Sequence, residues 1–423
     1  MVINFILLIL SLLIYASLGI TNLLFILFSI LTSFFAAKLF KSKNKKFIFI
    51  ITIILNSLVF FFFKFMIFKE ITSFNLIVPL GISYYTLQII SYLIDVYKNK
   101  YPAEKSLWKY MLSVAYLPHL FIGPIAKYDE IKDAIFNNRK TNWSNFYLGI
   151  TRVFWGLSKK LIISGRIAII TNNITTNNYS GWYILLAVFL YSIQLYADFS
   201  GGIDVVLGLS KILGIDLKEN FNSPFDSQSV KEFWRRWHIS LGRWLKEYIY
   251  IPLGGNKHGT FRKNINLLIT FFISGLWHGL SYLLWGIFHG IFVMFGEKLK
   301  TPFQIVNKIG TFILISLLWC FFLWSDPFIA LKMIGSIITD FNLMNVIQNI
   351  FNLGLALSDW IVLIIFTTTL FIIDKKQLLI KDKLLKIAIE FKLIILGIMI
   401  LFILLFGIYG IGFNVNEFIY SNF

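Results

Sequence analysis

N-I-N-L-L-I-T-F-F-I-S-G-L-W-H-G-L-S-Y-L-L-W-G-I-F-H-G-I-F-V-M-F-G, residues Asn264–Gly296, decides the fold. It holds no Lys, Arg, Asp or Glu and is long enough to cross a bilayer, the mark of a transmembrane helix. Similar apolar runs recur at about 2–18, 22–40, 47–68, 76–97, 110–126, 146–170, 182–210, 304–325, 328–350, 358–374 and 391–413. Hydrophobic residues make up 57% of the 423, charged residues only 14%, and there are 45 Phe, far too apolar a balance for a soluble domain. None of the runs alternates with the dyad period of an outer-membrane barrel. The expectation is an all-α polytopic membrane protein of roughly 11–13 hydrophobic helices, one transmembrane domain over residues 1–423.

Met1–Leu18 lacks the basic n-region and small-residue cleavage site of a signal peptide and reads as the first span. The single cysteine, Cys320, excludes an internal disulfide framework and any Cys-based metal site, and no metal centre is expected. The net charge of +18 does not call for nucleic acid, because Lys and Arg of a membrane protein collect on the cytoplasmic side. Lys38, Lys41, Lys43, Lys45 and Lys46 follow the second run, Lys98 and Lys100 the fourth, and Lys375, Lys376, Lys381, Lys383 and Lys386 precede the last. With all three clusters in the cytoplasm, the N-terminus lies outside, and so does the tail after Ile394–Phe413. The Asn-rich stretch Thr171–Ser180 then reads as an outside loop.

Residues 229–263 break the pattern: S-V-K-E-F-W-R-R-W-H-I-S-L-G-R-W-L-K-E-Y-I-Y-I-P-L-G-G-N-K-H-G-T-F-R-K is basic yet dense in aromatic residues. As one helix it puts Trp234, His238, Leu241, Leu245 and Tyr248 on one face and Arg235, Ser240, Arg243 and Lys246 on others. That describes a cytoplasmic-side interfacial or re-entrant segment. His238 stands in the apolar stripe, where it either bonds a carbonyl or points into the bundle.

Ionisable residues inside a span are costly and are functional candidates by default. His278 and His289 qualify. Eleven residues apart on one continuous helix, they would share a face roughly 16 Å apart in depth, too far to hold one metal. Gly275 with Gly279, and Gly286 with Gly290, form small-xxx-small pairs that admit a neighbouring helix, so His289 also reads as a packing residue. Trp277 and Gly279 flank His278 and suggest a shaped environment. The sequence has no P-loop, Rossmann fingerprint, H-E-x-x-H or G-x-S-x-G. Asp198 and Asp204, six apart, do not align on a helix face as a retaining-glycosidase pair would, and read as capping or pairing within the bundle. His119 beside Pro118 reads as structural and His258 as solvated.

V-P-L-G-I-S-Y-Y-T-L-Q, L-P-H-L-F-I-G-P-I-A-K-Y, Y-A-D-F-S-G-G-I-D, E-N-F-N-S-P-F, E-F-W-R-R-W-H-I-S-L-G-R-W-L-K-E-Y-I-Y-I-P-L-G-G and G-L-W-H-G together resemble the membrane-bound O-acyltransferases, in particular the bacterial branch that includes alginate O-acetyltransferase. The likeness runs from about Val78 to Trp324. It implies a helical ring around a funnel in the bacterial inner membrane, with His278 at the constriction and His238 as a second functional position on the donor side. It implies no bound cofactor. The acyl donor is a cytoplasmic thioester, acetyl-CoA or an acylated carrier protein, and the final acceptor an extracytoplasmic polymer. Arg235, Arg236, Trp237, Arg243 and Trp277 become donor-side candidates, with His289 and Asp198 supporting. The basic face of Arg235, Arg236, Arg243, Lys246, Arg262 and Lys263 suits a phosphorylated donor, an acidic carrier or anionic headgroups. Gly202 stands where the alginate branch has Tyr, and F-F-L-W-S-D where it has Arg after the paired Phe, which leaves the polymer open among peptidoglycan, capsule or wall polysaccharide and cellulose.

The expected mechanism is general-base transfer: His278 takes the proton of a hydroxyl attacking the thioester, while His238 positions the donor or stabilises the oxyanion. The family's aromatic-x-Tyr-x-x-Phe tail is matched by Phe418, Tyr420 and Phe423, which makes Tyr420 a candidate acyl relay in the segment 391–423. A separate esterase-like (SGNH) partner with a Ser-His-Asp arrangement would complete the transfer. D-alanyl transfer to teichoic acid from a carrier protein is the neighbouring alternative. A transporter or channel, or a scaffold for polymer export, is the alternative of another class.

Overall fold

The computed structural model describes residues 2–66, 79, 81–137, 139–296 and 300–409. All regular structure among them is helical. Among the described residues, six stretches are long and apolar enough to cross a membrane: Ile20–Leu39, Lys45–Lys64, Trp182–Ile212, Gln304–Leu323, Leu357–Lys386 and Ile389–Phe406. The chain divides into two compact units, residues 1–142 with 210–218, and residues 143–209 with 219–423.

The first unit holds α1 (Val2–Ser17), α2 (Ile20–Leu39), α3 (Lys45–Met66), α4 (Ile82–Tyr97), α5 (Leu107–Ala115), α6 (Leu117–Ile122) and α7 (Tyr128–Lys132). The apolar run expected over 110–126 is two short helices, because Tyr116 is extended and Pro118 cannot continue α5 without a clash against the preceding turn. Leu8, Leu112, Tyr116, Ile131, Ile135 and Ile215 build its core. Beside them Glu104 accepts from the Tyr128 hydroxyl and Lys132 Nζ, both at 2.6 Å, and from the backbone N–H groups of Lys105 and Ser106 at 2.9 Å. Burial alone would raise this carboxyl, but those donors bring it down to about 2.

The second unit begins with α8 (Trp143–Ser158), which passes through a π turn at Lys159–Ser164 into α9 (Gly165–Thr176). Six of the ten residues of the expected loop Thr171–Ser180 are thus the end of α9. α10 (Trp182–Ile212) follows, 31 residues, and α8 lies against it at unusually short range. A Cβ on Gly156 would stand 2.4 Å from the Gly201 carbonyl, and one on Gly208 2.6 Å from that of Gly149, so only glycine permits these two crossings. The close approach brings the cations of α8 and its π turn onto the carboxylates of α10.

α11 (Val230–Arg236), α12 (Ile239–Leu245), α13 (Gly259–His278) and α14 (Leu283–Phe295) come next. Two expectations are corrected here. Residues 229–263 are not one amphipathic helix: the chain breaks at His238, which is left-handed at φ 46° and ψ 53°. Asn264–Gly296 is not one span either. Gly279, at φ 142°, ends α13 and reverses the chain into α14 through a 3-10 turn at Leu280–Tyr282. The glycines expected to admit a neighbouring helix pack the hairpin against itself, a Cβ on Gly286 falling 2.4 Å from the Phe271 carbonyl and one on Gly275 2.6 Å from that of Tyr282.

α15 (Gln304–Leu318), α16 (Cys320–Leu323), α17 (Pro327–Thr339), α18 (Leu343–Gln348), α19 (Leu357–Lys386) and α20 (Ile389–Phe406) complete the unit. The run expected over 328–350 is α17 and α18, parted at Asp340–Asn342. Asp326 caps α17 by accepting from the Phe328 and Ile329 N–H groups, with Pro327 in the first turn. Along α20 the large apolar side chains point outward, Phe391 at 63% and Leu404 at 60% exposure, as suits a surface solvated by lipid rather than water.

Candidate functional site

The two breaks in the second unit gather three histidines that the sequence keeps far apart. His238 lies between α11 and α12, 2% exposed. A left-handed residue with a side chain costs about 1–2 kcal/mol, and here the conformation is imposed from outside the helix. The N-terminus of α12 is capped by Asn220, whose carbonyl accepts from the Ile239 N–H and whose side-chain Oδ1 accepts from the Ser240 N–H, each at 2.9 Å. The Asn220 Nδ2 is left 3.4 Å from His238 Nδ1, and the Ser240 hydroxyl 3.5 Å from it. Burial drives the His238 pKa down to about 3, so the ring is neutral at pH 7.

His278 is the last residue of α13, held at the reversal by the Gly279 N–H to Gly275 carbonyl bond at 3.0 Å. Its ring is 4.6 Å from that of Trp277, 5.3 Å from Trp285 and Phe322, and 6.3 Å from Tyr282. His289, on α14 and fully buried, lies 4.8 Å from the same Trp285. Three helical turns would have separated the two histidines; the hairpin brings both against one indole. The Trp234 Nε1–H donates to His289 Nδ1 at 3.2 Å. Trp277 lies 6.4 Å from His238, so an unbroken series of rings runs His238, Trp277, His278, Trp285, His289, Trp234.

Every neighbour supplied by these indoles is apolar or a donor. Nε2 of His238, Nε2 of His289 and Nε1 of Trp285 and of Trp319 are buried without a hydrogen-bond partner among the described residues. A buried polar group left unmet costs about 1–3 kcal/mol, so four in one cluster call for a reason. No group of three His, Cys, Asp or Glu able to hold a metal occurs among the described residues.

The other candidates are dispersed. Trp237, 1% exposed, stacks on Phe233 at 5.3 Å and tilts against Trp319 at 5.3 Å as part of the aromatic core. Arg235 is exposed and Arg243 half-buried. Arg236 is engaged by Glu232 at 2.8 Å and by the Asn222 carbonyl at 3.3 Å. Asp198 is buried in an ion pair with Lys160. Tyr420, Phe418 and Phe423 lie outside the described residues. Sequence reasoning missed Asn220, Trp234, Trp285 and Trp319. E-N-F-N-S-P-F drew notice as a motif, but nothing local says that its first Asn caps a helix 18 residues on.

Asp198 and Asp204 pair within the bundle as expected, but sequence reasoning missed their partners on α8 and its π turn. Arg152 Nε and Lys159 Nζ each bond Asp204 at 2.8 Å, Arg152 reaches Glu219 at 2.5 Å, and Lys159 also meets Ser200 at 3.2 Å. Tyr196 donates to Asp374, which lies 3.9 Å from Lys159.

This arrangement of two buried histidines, one capped from Asn220 and one at the end of a W-H-G helix, falls within a recognisable family segment. Residues 100–307 match MBOAT, the membrane-bound O-acyltransferase family. The segment belongs to that family. The chain is 39% identical over 275 residues to the probable alginate O-acetylase AlgI of Pseudomonas putida, covering 62% of this chain and 56% of that protein. It is 34% identical over 307 residues to the peptidoglycan O-acetyltransferase of Helicobacter pylori, covering 62% and 57%. It is 31% identical over 237 residues to the teichoic acid D-alanyltransferase of Bacillus subtilis, covering 51% and 58%. The chain thus spans a little over half the length of the curated relatives it matches.

Proposed function

We propose that this protein is a multi-pass membrane O-acyltransferase of the bacterial inner membrane, moving an acetyl group from a cytoplasmic thioester toward an extracytoplasmic polysaccharide. The observation that carries the reading is the buried series of three histidines on shared indoles, built from the R-W-H and W-H-G stretches inside the family segment. Acetyl is preferred to D-alanyl because identity is higher to the O-acetylating relatives, 39% and 34%, than to the D-alanyl one at 31%.

His278 is assigned as the general base. His289 Nδ1 receives the indole N–H of Trp234, a group that can only donate, so its remaining ring nitrogen carries the proton and cannot accept one. With His278 unprotonated, the hydroxyl oxygen attacks the thioester carbonyl as its proton passes to the imidazole. The C–O bond forms, the C–S bond breaks, and the departing thiolate recovers the proton from His278. His238 donates to the oxyanion that develops between these steps.

Tyr420 is the proposed first acceptor, assigned to the far side of the membrane on the sequence pattern of the lysine clusters. A phenol pKa of about 10 lies near that of a thiol, about 8.5, so the phenyl ester keeps much of the transfer potential, and passage to an aliphatic sugar hydroxyl is downhill. An SGNH esterase-like partner outside the cell would take the group onward, with acetyl-CoA or an acylated carrier supplying it from inside.

The test is a vesicle assay with radiolabelled acetyl donor on the cytoplasmic face. Wild type should acquire protein-bound label; His278→Ala should acquire none, and Tyr420→Phe should bind donor without retaining label. Equal labelling in all three would sink the mechanism, and solute uptake without donor cleavage would favour a transporter.

A further inference from the structure

We infer that Asn220 is a positioning residue which fixes the tautomer of His238, so that His238 presents Nε2–H and serves only as a hydrogen-bond donor in the acyl site. The inference rests on the assignment of His238 to that site and deepens it.

The orientation of the Asn220 side chain is set by its surroundings. The Ser240 backbone N–H can only donate, and it meets one end of the Asn220 amide at 2.9 Å, so that end is the oxygen. The other end, the NH2 group, therefore faces His238 Nδ1 at 3.4 Å as a donor. Asn220 is wholly buried, and its own carbonyl is tied to the Ile239 N–H at 2.9 Å, so the amide cannot turn over without giving up the cap of α12. The Ser240 hydroxyl also lies 3.5 Å from Nδ1, and a hydroxyl can donate there. The residue's own carbonyl also stands at the ring, but the pinned Asn220 NH2 cannot turn away; facing it, Nδ1 carries no proton and the neutral ring holds its proton on Nε2. That nitrogen is buried and has no acceptor among the described residues.

His238 thus repeats the wiring of His289, where Trp234 donates to Nδ1, with a different donor and a different helix end. An N–H kept unmet in the resting protein is a group reserved for an acceptor that arrives during the reaction, and a carbonyl oxygen gaining charge is such an acceptor. The left-handed backbone at His238 belongs to the same device. It turns the ring back toward Asn220 while the next two N–H groups reach the same Asn, so one residue caps the helix and fixes the imidazole.

The experiment uses full-length protein in lipid with 15N-labelled histidine, whose five residues keep the spectrum assignable, the His238 signal being identified by its absence in His238→Ala. Solid-state NMR of wild type should find His238 with Nε2 protonated and Nδ1 bare; a protonated Nδ1 overturns the inference without any variant. Asn220→Asp keeps an oxygen for the Ser240 N–H but offers Nδ1 only acceptors, so Nδ1 should become protonated. At pH 8.5 its kcat for acetyl transfer should fall about 10²-fold with KM little changed, the effect of losing one oxyanion donor. An Asn220→Asp protein with a bare Nδ1, or with wild-type kcat, overturns the inference. If His238→Ala keeps wild-type transfer, the assignment of His238 to the site fails instead. If His238→Ala is inactive while Asn220→Asp is active, the inference about Asn220 alone fails.

Discussion

Two buried polar regions of the second unit obey opposite rules. In the cluster of α8, its π turn and α10, every ionisable side chain meets a partner: Arg152 and Lys159 share Asp204, Lys160 holds Asp198, and Tyr196 holds Asp374. In the series of histidines and indoles, Nε2 of His238 and His289 and Nε1 of Trp285 and Trp319 meet none among the described residues. Glycine crossings too close to admit a Cβ hold the first region shut, while the second is built round two interruptions of the chain, at His238 and Gly279. A satisfied buried network is architecture, since all its bonds are made before any substrate comes. An unsatisfied one is what the proposed acyl site requires, since there the substrate would bring the missing partner.

The difference can be broken or sharpened by variants that strike one region and spare the other. The largest effect belongs to His278→Ala, which should lower transfer by at least about 10³-fold in the labelled-donor assay while the thermal unfolding temperature in detergent stays close to wild type. A matching fall in stability would place His278 with the architecture. Lys159→Met should do the reverse. It leaves Asp204 with one cation and removes the charge nearest Asp374, a loss of about 3–5 kcal/mol in stability with the rate per folded molecule preserved. Transfer lost at unchanged stability would move the charge cluster into the site.

The satisfied class also predicts a pH response in the first unit. Glu104 is held at about 2 against an ordinary 4.5 by Lys132, Tyr128 and two backbone N–H groups. A carboxylate with a lowered folded value stabilises fully above the unfolded value and loses that contribution as pH falls through the folded one. Here roughly 3 kcal/mol should vanish between pH 4.5 and about 2. Glu104→Gln should unfold more easily at neutral pH and show a flatter acid limb in an unfolding titration; equal acid limbs would count against the network. The smallest effect is Trp234→Phe, which removes one N–H donor from His289 Nδ1. It should cost about 1 kcal/mol in detergent unfolding and leave acetyl transfer nearly unchanged. A collapse of transfer would promote His289 from packing to chemistry.

Much of the fold was legible in composition. Apolar runs, lysine clusters and the lack of alternation pointed to a helical membrane protein, and the resemblance carried by R-W-H and G-L-W-H-G drew notice to His238 and His278. The geometry around them was not legible. A helical period applied across Gly279 put His278 and His289 three turns apart, because periodicity assumes the helix continues and one glycine at φ 142° ends it. Arg152, Lys159 and Lys160 drew no notice in the sequence, since only the glycine crossings bring Asp198 and Asp204 onto them.

What the sequence determined by itself is the solvent of this protein and the chemical kinds of group it carries: lipid-facing helices, five histidines, one cysteine, and a basic aromatic stretch between spans. These follow from local composition, which hydrophobicity reads directly. What only the tertiary structure decided is which ring nitrogen of His238 and of His289 faces a donor. That choice depends on donors contributed by Asn220, 18 residues before His238, and by Trp234, 55 residues before His289. A hydrogen bond acts over about 3 Å in space and is indifferent to separation along the chain.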